Sequence, residues 1–335
     1  MKVFFIHEGI SDLRSFIDYI GVEAPSGLEW APEDPEILFV SEHIYYRSKA
    51  FDRFRKMAGT ALLKVAFLGE ALEPDFNIFD YVVGFSNKYE GNTRYIRILP
   101  PLDFYRGFVQ DISNPVRTPA EALALLDGKK AFCNFLYSNS KAHPMRDRLF
   151  YELSRYKRVD SLGKHLNNVE VPGTGFRGHS AECVGLKSGY KFSIASENAS
   201  FPGYTSEKLY TSLAAHTVPV YWGNPDVKED FNPESFLNAG DYASMDALLE
   251  KIREIDGNDA LWAEMVSAPW RTAEQVRRQE IRAMEYRRAI TAILEGKKGK
   301  MTAEGYHQDL YRARFFEEDF PLDSKSRKLL RRILG

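Results

Sequence analysis

Short runs of apolar residues alternate with amphipathic, charged segments along most of this chain, and this alternation constrains the fold more than any other feature. Parallel strands that are buried on both faces are nearly continuous apolar runs, and the helices that connect them carry one apolar face. Strands are predicted at residues 3–6, 37–40, 63–68, 81–85, 95–99, 131–137, 190–196 and 218–222. Helices are predicted at residues 13–20, 45–57, 120–126, 145–156, 206–215, 245–255, 260–266 and 272–294. The pattern is typical of an α/β protein.

The chain is long enough for two α/β domains. Its 335 residues correspond to two domains of about 150 residues each. A polar stretch at 138–144 separates two α/β halves, and a Gly/Lys segment at 296–300 precedes a tail. We therefore predict domains at 1–137 and 138–296, with a tail at 297–335. Two consecutive α/β halves favour a ligand site between them that faces the carboxyl ends of the strands.

Composition argues against several classes of protein. The 45 Lys and Arg residues nearly balance the 47 Asp and Glu residues. With a net charge of −2, the chain lacks the excess of positive charge that is typical of nucleic-acid-binding proteins. Two cysteines, Cys133 and Cys183, cannot form a disulfide framework, which suits a reducing compartment. The sequence has no run of about 18 apolar residues and no signal-peptide core. These features predict a soluble cytoplasmic protein that does not bind nucleic acid.

A built-in metal site is not expected either. The seven histidines are scattered without an HxxxH pair, and the two cysteines are far apart in the sequence. The sequence also has no DxD motif, the usual handle by which a metal ion holds a nucleotide diphosphate.

The window from residue 190 to residue 238 carries the most information. It predicts a strand, a loop with Gly and Pro, a helix and a second strand, which together make one βαβ unit. Lys208 would lie in the first turn of that helix, where a cation is unfavourable because it opposes the helix dipole. A substrate anion close by would offset this cost. A solvated surface lysine is the alternative explanation.

The sequence carries Glu197-Asn198 and Glu207-Lys208 in this window, and with residues 132–163 and 67–85 it resembles the bacterial α-1,3/4-fucosyltransferase family. In the 190–238 window, the matching residues are Glu197, Asn198, Tyr204, Glu207, Lys208, Val218, Pro219, Val220 and Gly223. Ser196 and Ser206 depart from the family pattern there. Residues 132–163 match a second segment, in which Arg146 stands where relatives place a diphosphate-binding arginine. Residues 67–85 match a third, in which Glu70 stands at the position of the catalytic carboxylate.

The resemblance implies the GT-B architecture, in which two Rossmann-like α/β domains face each other across a cleft and C-terminal helices follow. It implies an inverting transferase that moves L-fucose from GDP-fucose to a GlcNAc or glucose hydroxyl, in 1,3 or 1,4 linkage. The acceptor would be an oligosaccharide such as N-acetyllactosamine or lactose, bound by the first domain, and the second domain would bind the donor. No metal or other cofactor is expected, and the setting would be bacterial surface-glycan synthesis.

The resemblance also assigns roles to single residues. Glu70 would be the general base, while Arg146 and Lys208 would hold the diphosphate. The remaining donor-binding residues would be Tyr204, Glu207, Asn198, Ser138 and Glu197. From the residues alone, other assignments stay open. The base could be a neighbouring carboxylate (Glu73, Asp75 or Asp80), and Arg146 could form a surface ion pair. Glu207 could simply be a first-turn acid that favours the helix dipole, Tyr204 a packing aromatic, and Asn198 and Ser138 turn residues.

Two other segments suggest further hypotheses. Residues from Gly173 to Gly178 read GTGFRG, the spacing of a dinucleotide-binding loop, but Pro172 ends a poor strand before it. A dinucleotide-dependent oxidoreductase that uses this loop is one alternative function. A transferase of another GDP-sugar is a second, because Ser196 and Ser206 depart from the family pattern. An inactive nucleotide-sugar-binding protein is a third. The tail ends KSRKLLRRILG, which predicts a short basic amphipathic helix. This helix would contact an anionic membrane at the cytoplasmic face of the inner membrane. Alternatively, it would pack against the rest of the protein or be unfolded at the chain end.

Overall fold

The structure, a computed structural model, describes residues 1–98, 118–171 and 181–302, and these fall into two compact units. Among them, the first unit contains residues 1–98 and 282–302, and the second contains residues 118–171 and 181–281. Each unit holds one parallel sheet with helices packed against it. The α/β class predicted from the sequence is confirmed.

The first unit is built on a sheet of six parallel strands. They are Lys2–Ile6 (β1), Glu29–Trp30 (β2), Ile37–Ser41 (β3), Leu63–Phe67 (β4), Tyr81–Gly84 (β5) and Tyr95–Arg97 (β6). The strand order is β2-β1-β3-β4-β5-β6. Every residue of β3 and β4 is buried, because apolar clusters cover both faces of the sheet.

Two helices of the first unit follow from local sequence signals. Helix α1 (Leu13–Ile20) begins with a capping box between Asp12 and Ser15 and ends at Gly21, which adopts a left-handed φ of 64°. Helix α2 (Ser48–Met57) buries Phe51, Phe54 and Met57, which recur at a spacing of three residues on one face.

The second unit is built on five parallel strands with the order β11-β10-β9-β7-β8. They are Ala131–Phe135 (β7), Val159–Ser161 (β8), Tyr190–Ser196 (β9), Val218–Trp222 (β10) and Leu237–Asn238 (β11). In the described part of the chain, the helices after α2 are Pro119–Ala124 (α3), Met145–Tyr156 (α4), Ala181–Ser188 (α5), Glu207–Ala214 (α6), Val227–Asp230 (α7), Met245–Asp256 (α8), Asp259–Ser267 (α9) and Ala273–Leu294 (α10). Phe192, Val220 and Trp262 are fully buried in one core cluster of this unit.

The C-terminal part of α10 belongs to the first unit. Ile290, Ile293 and Leu294 are buried in the same apolar cluster as the strands of the first sheet. After the helix, Met301 and Thr302 donate backbone N–H groups to Asp80 Oδ1 at 2.8 and 2.7 Å. The chain up to residue 302 is therefore bound to the end of the loop that leads into β5.

The division into units differs from the predicted domain boundaries. Strand β7 pairs with β8 and β9, so the second sheet begins before residue 137, where we placed the end of the first domain. The predicted tail starts at 297, yet residues 299–302 bond to the first unit. The basic segment after residue 303 and the loop between Gly173 and Gly178 lie outside the described residues. Among the described helices, none is long and apolar enough to cross a membrane.

Candidate functional site

Polar side chains gather where three neighbouring strands of the first sheet end. His7 follows β1, Glu42 follows β3, and Glu70 comes three residues after β4. Ser41 and Phe67 are paired as the last residues of β3 and β4, so the chain segments after them leave the sheet at the same edge. Ligand sites of parallel α/β sheets form at this carboxyl edge.

Two carboxylates share this edge. Glu42 Oε2 accepts the backbone N–H of Gly69 at 3.0 Å, and Glu42 Oε1 lies 3.5 Å from the Tyr46 hydroxyl. Burial raises the pKa of Glu42, and the nearby charge of Glu70 acts in the same direction. Glu70 itself lies half-buried directly after Gly69. The pair therefore places the candidate base beside a second acid.

Two histidine rings complete this cluster. The His7 ring lies 5.0 Å from the His43 ring and 4.8 Å from the Tyr19 ring, measured between centroids. Burial lowers the pKa of His7 to about 4, with the charge of His43 adding to the effect. His7 is therefore neutral near pH 7, so it does not offset the negative charge of the carboxylates.

The other acids near Glu70 are held in internal bonds. Glu73 accepts from Lys88 Nζ at 2.8 Å and from the Tyr89 hydroxyl at 2.7 Å. Burial opposes ionisation of Glu73, but these two hydrogen bonds lower its pKa. Asp80 is 0% exposed and accepts the backbone N–H of Lys64 at 2.8 Å, in addition to its bonds from the C-terminal segment. Asp75 caps its own turn by accepting the N–H of Asn77 at 2.9 Å.

Arg146 opens α4 in the second unit and is only 3% exposed. Its guanidinium donates to the carbonyl oxygens of Asn139 and Ser196, both at 3.3 Å, and lies 4.3 Å from the centre of the Tyr137 ring. The Nε–H group is buried without a hydrogen-bond partner among the described residues. No carboxylate of the described residues forms an ion pair with Arg146. The surface ion pair considered from the sequence is therefore absent from the described part of the chain.

Lys208 lies between two carboxylates at the start of α6. Its Nζ is 3.1 Å from Glu197 Oε2 and 3.2 Å from Glu207 Oε1, and it donates to Ser206 Oγ at 2.8 Å. Burial alone would lower the pKa of Lys208, but the two carboxylates raise it far above its ordinary value. The Lys208 side chain is 18% exposed, so it is neither solvated nor fully enclosed.

Glu197 is a fully buried residue directly after β9. It is 0% exposed, and its carboxylate accepts the backbone N–H and the hydroxyl of Ser206, each at 2.7 Å. A Cβ atom at Gly223 would lie only 2.4 Å from Glu197 Cγ, so glycine is needed there. Burial raises the pKa of Glu197, although Lys208 acts against it. Burial would also raise the pKa of Glu207, but Lys208 outweighs that effect and lowers it.

The other predicted donor residues lie in different environments. Tyr204 is 2% exposed, and the Tyr221 hydroxyl lies 3.5 Å from its carbonyl oxygen. Asn198 is half-buried just after β9, and its carbonyl oxygen accepts from His143 at 2.8 Å. Ser138 is exposed after β7. All three follow or precede strands of the second sheet, close in sequence to Arg146 or Lys208.

Several neighbours of the predicted site residues were not predicted. Tyr137 supports Arg146, and its hydroxyl accepts the N–H of Ser196 at 2.7 Å while donating to the carbonyl of Ile194. Glu42 and His7 were also missed, although His7 directly follows the predicted strand at 3–6 and Glu42 comes two residues after the predicted strand at 37–40, and that position was the available signal. In the described part of the chain, no cluster of His, Cys, Asp and Glu could hold a metal ion. Of the predicted donor-binding residues, Arg146 and Lys208 carry the positive charge that could hold a diphosphate.

Solved structures with the same fold define the class of this protein. An α1,3-fucosyltransferase solved with GDP-fucose aligns with a TM-score of 0.67 at 21% identity, covering 91% of this chain and 93% of that one. Another structure of an α1,3-fucosyltransferase aligns with a TM-score of 0.68 at 22% identity, covering 88% of this chain and 90% of that one. These alignments and the two parallel sheets show the GT-B fold of glycosyltransferases.

Sequence comparison identifies the family. The model of the C-terminal part of glycosyltransferase family 10 (fucosyltransferase) matches residues 126–303, more than half of this chain. The protein therefore belongs to glycosyltransferase family 10. An α-(1,3)-fucosyltransferase of Helicobacter pylori is 28% identical over 232 residues, 61% of this chain and 46% of the relative. The human GDP-fucose protein O-fucosyltransferase 3 is 28% identical over 248 residues, 71% of this chain and 47% of the relative. The chain spans less than half the length of these curated relatives.

Proposed function

We propose that this protein transfers L-fucose from GDP-fucose to a glycan hydroxyl, in α-1,3 or α-1,4 linkage and with inversion at the sugar carbon. The observation that carries the proposal is the environment of Arg146. A buried guanidinium without a carboxylate partner among the described residues is costly unless an anion binds to it. A diphosphate supplies that anion, and the planar guanidinium suits a bidentate phosphate contact.

Glu70 is the proposed general base of the reaction. It removes the proton from the acceptor hydroxyl, the oxygen of that hydroxyl bonds to the anomeric carbon of fucose, and the bond from that carbon to the diphosphate breaks. GDP leaves with the electron pair. Arg146 offsets the charge that develops on the diphosphate. Lys208 adds less positive charge than its position alone suggests, because Glu197 and Glu207 already lie within 3.2 Å of it.

The proposal includes independence from metal ions, because protein cations are available to the diphosphate. Turnover should persist in excess EDTA. Complete loss of turnover in EDTA, with recovery on adding Mn²⁺ or Mg²⁺, would contradict this part of the proposal.

A transfer assay tests the donor and the acceptor together. The protein is incubated with GDP-fucose and either lactose, N-acetyllactosamine or its 1,3-linked isomer, and the products are identified by mass spectrometry and NMR. We expect a fucosylated oligosaccharide and GDP in equal amounts. Thermal shifts with GDP, GDP-fucose, GDP-mannose, UDP-sugars and NAD distinguish the rival donors and the oxidoreductase. Stabilisation by GDP-fucose without any product would favour the inactive binding protein.

A protein acceptor is the second candidate. The alignment with GDP-fucose protein O-fucosyltransferase 3 covers 71% of this chain, more than the 61% covered by the H. pylori α-(1,3)-fucosyltransferase. The assay therefore needs an arm with a folded protein that presents exposed Ser and Thr hydroxyls. Transfer to that protein but to none of the oligosaccharides would overturn the glycan acceptor and keep GDP-fucose as the donor.

The cellular setting remains part of the proposal. We propose bacterial surface-glycan synthesis at the cytoplasmic face of the inner membrane, with the basic segment KSRKLLRRILG as the membrane contact. Vesicles with and without anionic lipid provide the test by co-sedimentation. We expect binding to the anionic vesicles that weakens with salt. Equal recovery with neutral and anionic vesicles would remove the membrane from the proposal.

A further inference from the structure

Glu42 occupies a place beside Glu70 that no motif assigns. Both residues lie just beyond the carboxyl edge of the first sheet, where β3 and β4 are neighbours. The Glu42 carboxylate accepts the N–H of Gly69 at 3.0 Å, and Gly69 immediately precedes Glu70. The carbonyl of Glu70 in turn accepts the N–H of Leu72 at 2.8 Å. The backbone of the proposed base is therefore held on both sides.

The approach of Glu42 to this loop is close. A Cβ atom at Gly69 would lie 3.3 Å from Glu42 Oε1 and 3.4 Å from Oε2. Such a contact is tight for a side chain, so the absence of one at Gly69 lets the carboxylate reach the N–H group. Glu42 thus forms a short tether from the end of β3 to the loop that carries Glu70.

Burial and a neighbouring acid both disfavour the charge of Glu42. Among the described residues no Lys or Arg forms an ion pair with Glu42. Arg47 pairs with Glu8 at 3.5 Å instead. The groups that act on Glu42 from neighbouring elements are Glu70, His43, Tyr19 and Tyr46, with His7 beside His43. Tyr19, Tyr46 and the neutral His7 add no positive charge near neutral pH, whereas the charge of His43 favours the ionised form of Glu42. Burial raises the pKa of Glu42, and the like charge of Glu70 acts in the same direction.

We propose that Glu42 is a positioning residue for Glu70: it tethers the loop through Gly69 and holds a second negative charge beside the base. This inference rests on the proposed function, in which Glu70 is the base. A base with higher proton affinity removes a hydroxyl proton more effectively, provided that it is still ionised at the working pH.

Two substitutions separate the tether from the charge. Glu42→Gln keeps an oxygen that can accept from Gly69 but removes the charge, whereas Glu42→Ala removes both. We expect Glu42→Gln to move the acid limb of the kcat profile to lower pH by about half a unit or more and to lower kcat several-fold. The kcat of Glu42→Ala should be roughly tenfold lower than that of Glu42→Gln, because the loop also loses its hydrogen bond to residue 42. GDP affinity should stay unchanged in both. Glu8→Gln, an exposed acid after β1, is the matched control and should leave the profile unmoved.

A second readout does not depend on turnover. The carboxyl carbon of Glu70 is followed by ¹³C NMR through a pH titration in the wild-type chain and in Glu42→Gln. We expect the midpoint of Glu70 to fall in the variant. An unchanged midpoint, or an unchanged acid limb with equal kcat in Glu42→Gln and Glu42→Ala, would overturn the role of Glu42. If the wild-type chain transfers no fucose, the proposed function fails, and the NMR midpoint still decides whether the two carboxylates are coupled.

Discussion

Single residues in the two candidate regions differ in how their charge is compensated. The carboxylate oxygens of Glu73 and Asp80 accept hydrogen bonds from other protein groups, which makes both residues poor candidates for a general base. Arg146 is buried, and among the described residues its guanidinium donates only to two backbone carbonyls. A charge that the fold buries without neutralising it is a frequent mark of a functional site. Glu70 and Arg146 are therefore the residues whose substitution tests the proposal most directly.

The first prediction concerns Glu70. Glu70→Gln preserves the shape of the side chain but cannot accept the proton, so kcat should fall by about 10²–10⁴-fold. Glu73→Gln, three residues further on, should change kcat little, because Glu73 is engaged by Lys88 and Tyr89. Steady-state kinetics and the Kd for GDP-fucose of both variants provide the comparison. Normal turnover of Glu70→Gln together with a deep loss in Glu73→Gln or Asp75→Asn would move the base to another carboxylate.

The second prediction concerns Arg146. Arg146→Ala removes a charge-assisted contact worth about 1.5–3 kcal/mol, so GDP should bind roughly ten- to a hundredfold more weakly. Guanosine, which lacks phosphates, should lose much less affinity. Arg148→Ala is the matched control, because Arg148 is exposed two residues along the same helix. Calorimetry with both ligands measures the effect, and equal GDP affinity in the two variants would mean that the diphosphate binds elsewhere.

At the scale of secondary-structure elements, the start of α6 depends on a buried acid from another element. Ser206 is the N-cap residue, but its own side chain does not cap the helix, and Glu197 accepts its N–H and hydroxyl instead. Glu197 comes directly after β9, so it also fixes the helix to the sheet. Lys208, in the first turn, is held by the same carboxylate. The cation that opposes the helix dipole is thus explained in part by two neighbouring acids.

The third prediction follows from this arrangement. Glu197→Ala leaves the ammonium of Lys208 with one carboxylate and the start of α6 without its acceptor, so the free energy of unfolding should fall by about 3–5 kcal/mol. In the background of Lys208→Met the same substitution should cost clearly less, because no buried cation is stranded. Urea unfolding of the four proteins gives the coupling energy. Additive losses would show that Glu197 and Lys208 stabilise the helix independently.

The fourth prediction concerns the segment after α10. Asp80 Oδ1 accepts two N–H groups from Met301 and Thr302, and Oδ2 accepts one from Lys64. Asp80→Asn replaces one acceptor oxygen by a donor, so it should cost about 1–3 kcal/mol. In Asp80→Asn, hydrogen exchange at the amides of Met301 and Thr302 should be faster than in the wild-type chain under conditions where the protein remains folded. Asp75→Asn, whose carboxylate caps a local turn, is the control, and equal exchange in both variants would contradict the anchoring role.

At the scale of the whole molecule, each unit encloses its own apolar core, and some charges are buried with it. Lys187 on α5 is 5% exposed and donates to the hydroxyls of Thr211 and Ser212 at 2.8 and 3.1 Å. Burial lowers the pKa of Lys187 from its ordinary value of 10.5 to about 8. The folded protein therefore bears a destabilising charge whenever Lys187 is protonated.

The fifth prediction is a pH dependence of stability. Between about pH 8 and pH 10.5 the unfolded chain binds more protons at Lys187 than the folded chain, so the contribution of this residue to stability rises with pH in that window. Lys187→Met removes the titrating group and should flatten the rise. Urea unfolding at pH 7.5 and pH 10, compared between wild type and variant, gives the difference. An equal pH dependence in the two proteins would show that Lys187 titrates normally.

Much of the architecture was determined by the sequence alone. The predicted elements at 13–20, 145–156, 190–196 and 218–222 coincide with the elements of the structure. Apolar periodicity, capping residues and glycines act between near neighbours, so they can be read from a local window. Strand β8 and helix α5 were missed, because β8 is only three residues long and contains Asp160, and α5 follows a glycine-rich stretch.

Only the tertiary structure decided how these elements combine and which side chains meet. Strand β7 belongs to the second sheet through its pairing with β8 and β9, and the end of α10 belongs to the first core. Glu42 and Gly69 are 27 residues apart in the chain, and their hydrogen bond depends on β3 and β4 lying side by side. The motif predicted Glu197 as a donor-binding residue, and the tertiary structure shows that it is 0% exposed and contacts Ser206 and Lys208. Burial and charge compensation are set by contacts between distant segments, so a local pattern identifies the residues but not the state of their charges.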